Sequence, residues 1–104
     1  MSTANKDEIY RAKMNLETSR IAWKELQRFF ASGAAVYVSN ELDLVEVACQ
    51  MSEDNAARIQ QWMQAGQLAK VSDAQAAAWY EADALVWAVV VSPYVLVQSS
   101  GNLH

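Results

Sequence analysis

Apolar residues recur along the chain with two periods, and the switches between them mark out its elements. Ile9, Ala12, Lys13 and Leu16 follow the i, i+3, i+4, i+7 template, with Lys13 the polar exception, which predicts a helix over 6–18. Trp23, Leu26, Phe29 and Phe30 share one side of a second helical stretch, roughly 21–32. The two stretches read equally as two helices or as one bent helix. Gly33 follows, where a left-handed helix cap forms without steric cost. The segment AAVYVS, 34–39, is β-branched and aromatic and predicts a short strand.

Residues 40–51, NELDLVEVACQM, fit two patterns. On a helix, Asp43, Glu46 and Gln50 make one polar stripe, Asn40 is a good N-cap, and Glu41 and Asp43 suit the positive end of the helix dipole. On a strand, Asp43 lies beside Val45 and Val47, and Glu46 among Leu42 and Leu44. That segregation is poorer, so helix is favoured. A strand completing a hairpin with 34–39 stays open.

Ser52, with Glu53 and Asp54 behind it, has the chemistry of a helix N-cap and first turn. Ala56, Ile59, Trp62 and Met63 then form an apolar face, and Gly66 ends the helix. LAKVS, 68–72, predicts a short strand. Ser72-Asp73-Ala74-Gln75 is a capping box, and it opens a helix to about Ala82 with Ala76, Trp79 and Tyr80 inward. The last run, 85–98, is β-branched. Val89, Val90 and Val91 show no polar alternation, which predicts a strand covered on both faces. Pro93 removes a ladder donor, so the strand must bend, bulge or lie at an edge there. Val86 to Val91 are expected in the core. Tyr94 to Gln98 are expected to meet either the chain's own helices or another subunit.

This alternation of helices and strands predicts an α+β fold: a small antiparallel sheet packed by four to five helices in a single domain over 1–104, with 1–5 and 99–104 as frayed tails. At 104 residues one core suffices, without metal or disulfide. Hydrophobic residues make up 53% of the chain, more than a domain this small readily buries, so part of that surface is expected between subunits of a homodimer. The run 85–97 is shorter than a membrane span, and the polar N-terminus has no apolar stretch of signal-peptide type, so a soluble cytoplasmic protein is expected. One cysteine, Cys49, permits no internal disulfide and fits a reducing compartment.

The residue inventory bears on chemistry mainly by excluding it. The only histidine is His104, the last residue, so no Ser-His-Asp set can be drawn and Cys49 has no base. Three scattered glycines make no phosphate-cradling loop. No HxxE or CxxC spacing suggests a transition metal. Asp43 and Glu46 on one helix face could hold a hard cation or a small ligand through oxygen, although a solvated acidic face explains them as well. No cofactor is implied, and an enzyme is not the expectation. The four tryptophans all fall on apolar faces, where core packing or an interface uses them.

Residues 46–71 resemble the helix-turn-helix of MerR-like and excisionase-like DNA-binding domains, through Val47, Ala48, Ile59, Trp62, Gly66 and Leu68. The second helix of that outline opens on Ser52-Glu53-Asp54-Asn55, which sets carboxylates where phosphates lie, and only Arg58 is basic there. A net charge of −4 points the same way, so nucleic acid is not the expected partner.

Over nearly the whole chain the sequence resembles an uncharacterised bacterial family, domain of unknown function 2288. The resemblance rests on Leu16-Glu17-Thr18, Trp23-Lys24-Glu25-Leu26, the run Leu42 to Ala48, the Trp62 to Gly66 spacing, Trp79, and Pro93-Tyr94-Val95-Leu96-Val97-Gln98. It implies a small bacterial cytoplasmic protein and no particular reaction. The leading expectation is therefore a non-enzymatic, self-associating interaction module. A helix-turn-helix DNA binder is the alternative, and a ligand or cation binder using Asp43 and Glu46 the second. Asp43, Glu46, Arg58, Trp62 and Tyr94 are the candidate contact residues.

Overall fold

The computed structural model describes residues 18–100. Among them, strand β1 (Ser19–Ala22) leads into a 3-10 turn (Trp23–Leu26) and a short helix α1 (Gln27–Ala31). Strand β2 (Ala35–Val38), helices α2 (Leu44–Ser52) and α3 (Ala56–Gln64), strand β3 (Leu68–Lys70) and helix α4 (Asp73–Glu81) follow. The chain closes with strands β4 (Leu85–Val91) and β5 (Tyr94–Ser99). The helix expected over 6–18 lies outside the described residues, save Thr18.

The strands form one sheet in the order β1-β4-β5-β2-β3. It is antiparallel except for β2 and β5, which run parallel with Val36 opposite Leu96. The predicted α+β architecture is therefore correct, with that one parallel pair inside it. Residues 85–98 are not one kinked strand: Ser92 and Pro93, joined by a cis peptide, make the turn of a hairpin that pairs Val91 with Tyr94 and Val89 with Leu96. Both strands sit centrally, which accounts for their continuous apolar sequence.

Strand pairing sorts the side chains onto two faces. Val89, Leu96 and Val38 face α2 and α3 and pack with Leu44, Val47 and Trp62. Val86, Ala88, Val95 and Val97 face the other way, against Trp23, Leu26 and Ala76. Each face thus has its own core, with the sheet between them. Coverage stops short of the sheet's margins. Val90 is 50% exposed, Leu85 45% and Trp87 37%, so the expectation that all of Val86 to Val91 is core is wrong for Trp87 and Val90. Helices this short cannot span the full sheet, and Trp87 gains an Arg20 guanidinium over its ring instead, 5.7 Å from the centroid. Tyr80, expected inward, is 51% exposed, with the Lys24 ammonium 4.9 Å from its ring centroid.

Several local signals act as read. Gly33 and Gly66 take φ +77° and +76°. The Ser72–Gln75 capping box forms in both directions, at 3.1 and 3.0 Å. Of the segment 40–51 only residues from Leu44 onward are helical, and Asp43 caps the helix, not Asn40: the Asp43 carboxylate accepts from the backbone N–H of Val45 and Glu46. Residues 39–42 are instead held as a loop by Gln98, whose side-chain amide donates to the carbonyls of Ser39 and Leu42 at 2.9 and 2.8 Å. The next cap also moves. Ser52 closes α2, and Asp54, at φ 58°, turns the chain so that the Asn55 side chain caps α3 through the Arg58 N–H.

The Gln98 clamp joins β5 to the entrance of α2. Gln98→Leu should cost about 1–2 kcal/mol, because both carbonyls lose their charge-neutral donors at once. Urea unfolding followed by circular dichroism reads this directly, and an unchanged midpoint would show that water replaces the amide without loss.

Candidate functional site

Helix α3 lies beside the short edge strand β3, and that position leaves a groove along the helix. Only Trp62 on α3 is fully buried. Ile59 is half-buried and Met63 is 55% exposed, although the helical period places all three on one side. A groove of about 540 Å³ opens between α3, the end of α2 and the β4–β5 hairpin. Val36, Met51, Ile59, Met63, Val91 and Tyr94 give it an apolar wall. Tyr94 is 40% exposed at its mouth. On the outer flank of α3, Ala56, Ile59 and Met63 line a second, shallower depression with Gln60 and Gln64. Ile59 and Met63 therefore form an apolar ridge with a hollow on each side.

Two ionisable residues line the groove, Asp54 and Lys70, and the Lys70 ammonium lies beside Gly33, 3.6 Å from where a Cβ there would stand. Asp54 arrives there because the α2–α3 turn needs a left-handed residue, which Asp tolerates better than most. Lys70 arrives through its register opposite Val36 on the same face.

The five candidate residues are dispersed. Asp43 and Glu46 sit on the first turn of α2, where Asp43 caps the helix and Glu46 accepts from the Gln50 amide at 3.0 Å. Neither lines the groove. Arg58 lies with its guanidinium over the Trp62 ring, 4.9 Å from the centroid, and Trp62 is core. Tyr94 alone of the five reaches the groove. No cluster of three or more His, Cys, Asp or Glu side chains that could hold a metal occurs among the described residues. The residues 46–71 do form two helices and a strand in succession, as the helix-turn-helix outline requires, with Glu53 and Asp54 in the turn between the helices.

Of the carboxylates a ligand pocket would draw on from the sequence, Asp43, Glu46 and Asp54, only Asp54 lines the groove; sequence reasoning passed over Met51 and Lys70 there and took Met63 as an inward side chain. A mixed helix face carrying methionine beside a short strand is the one signal that could have pointed there, since methionine suits irregular and adaptable contacts.

Residues 9–99 match the family described as "Protein of unknown function (DUF2288)". The chain belongs to this family. The matched span includes every groove residue, so the groove is part of the DUF2288 unit itself. The NMR solution structure of PA1075 from Pseudomonas aeruginosa is similar over 100% of this chain and 99% of that one, at 38% identity and a TM-score of 0.79. No curated protein matches the sequence. No helix among the described residues is long and apolar enough to cross a membrane.

Proposed function

We propose that this DUF2288 protein is a small non-enzymatic interaction module of the bacterial cytoplasm that self-associates through the α3 groove. The observation that carries this reading is the groove itself: an apolar hollow flanked by an exposed methionine and an exposed tyrosine, on a domain with surplus apolar residues. Tyrosine and methionine are enriched where protein surfaces meet. The chain's one cysteine, Cys49, is buried, and a lone cysteine is at home in a reducing cytoplasm. The occupant is a second copy, because the groove's hollow and the Ile59–Met63 ridge lie on the same surface and can serve each other across a two-fold axis.

The test is the molecular mass in solution. Tyr94→Asp should weaken the dimer at least about tenfold in sedimentation equilibrium, since it sets a carboxylate in the groove mouth. Ala77→Glu, on exposed α4 across the sheet, should leave it unchanged. Equal weakening by both would move the interface elsewhere. A second reading, DNA binding, has the α2-turn-α3 arrangement in its favour. The acidic turn opposes it, so random duplex at low salt should show no gel shift.

A further inference from the structure

We infer that the dimer is a two-fold pair in which Asp54 of each copy faces Lys70 of the other. The inference rests on the self-association proposed above and adds its register and its charge rule.

The groove is lined by one acidic and one basic residue, Asp54 and Lys70, the Lys70 ammonium lying beside Gly33, and neither makes an ion pair among the described residues. Any occupant has to answer both signs. An anionic amphiphile would satisfy Lys70 and meet Asp54 with like charge, and a cationic one would do the reverse. An identical chain answers both, because a two-fold axis that brings residue i to residue j also brings j to i. Two equivalent ion pairs then flank the apolar contact. The ridge supplies that contact: Ile59 and Met63 stand between two hollows, so the ridge of one copy can enter the groove of its partner while the partner's ridge enters its own. Methionine has the flexibility to fill such a hollow without an exact fit.

Charge reversal tests this register in a way that simple disruption cannot. In Asp54→Lys every 54–70 contact becomes two ammonium groups, and in Lys70→Asp two carboxylates. Each variant alone should dimerise about tenfold more weakly than wild type. Mixed in equal amounts, they should recover wild-type affinity within about threefold, because both contacts in the mixed dimer again join opposite charges. Sedimentation equilibrium measures the single species, and resonance energy transfer between differently labelled variants measures the mixture. Residue 54 has a positive φ, which lysine tolerates poorly, so a second set guards against misfolding. Asp54→Asn and Lys70→Gln should each weaken the dimer, and the double variant should be no weaker than the worse single. A wild-type dimer that is indifferent to both sets overturns the charge pairing and leaves self-association standing. A wild-type chain that remains monomeric overturns both.

Discussion

Trp23→Ala should lower the stability of the domain by about 3–5 kcal/mol, a large part of what a domain of this size possesses. Trp23 is 0% exposed and stands where the chain leaves β1, so it fastens the edge of the sheet to the helices behind it. Its ring meets Trp79 edge-on at 5.1 Å between centroids and Phe30 at 5.8 Å. Deleting it removes the largest fully buried side chain and leaves a cavity that α1 and α4, held by their own contacts with the sheet, fill only in part. The indole nitrogen is buried without a hydrogen-bond partner among the described residues, so its N–H adds nothing there that offsets its desolvation. Trp23→Phe should therefore be much milder, at about 1–2 kcal/mol, because it keeps an aromatic ring and removes the unpaired donor. Chemical denaturation of both variants checks the contrast, and equal losses would mean that the indole itself, which both variants lack, governs the site and not the retained ring.

Met63→Glu should do the opposite: leave the fold intact and abolish assembly. The side chain is 55% exposed in the single chain, so its replacement should shift unfolding by no more than about 0.5 kcal/mol. In the proposed dimer the same position would be covered twice, once in each copy, and a carboxylate there would be stripped of water within an apolar wall. The dissociation constant should rise about a hundredfold or more. Thermal melts at low protein concentration separate the two effects: an unaltered midpoint together with lost assembly is the expected pair of results.

The parts of this fold that the sequence disclosed are those written locally. The left-handed residues at Gly33 and Gly66, the Ser72–Gln75 box and the β-branched runs of β2 and β4 depend on neighbours a few residues away. Features decided by distant partners were opaque. Ser19–Ala22 has little strand character of its own, and the helix expected over 21–32 is wrong at its start: Ile21 and Ala22 belong to β1, and the α-helix begins only at Gln27. Ser19–Ala22 is a strand because β4 offers it a ladder, with Arg20 opposite Trp87. The parallel pairing of β2 with β5 joins residues far apart in sequence, and the cap of α2 moves to Asp43 because Gln98 holds the preceding loop. The groove was legible only at Tyr94 and Asp54. Periodicity placed Met63 correctly beside Ile59 and Trp62, but burial also depends on how far the sheet extends beneath a helix, and β3 is only three residues long. Asp43 and Glu46 drew attention as a polar stripe, and the structure accounts for that stripe by a helix cap and an intrahelical hydrogen bond.

The central claim is that the α3 groove is covered by a second copy of the chain. Sedimentation equilibrium of the wild-type protein, beside Met63→Glu, over about 1–100 µM addresses it most directly, since interfaces of modest size associate in this range. The account predicts a monomer–dimer equilibrium for the wild type and a monomer throughout for Met63→Glu. A wild-type monomer at every concentration, or a dimer that Met63→Glu leaves untouched, would contradict it.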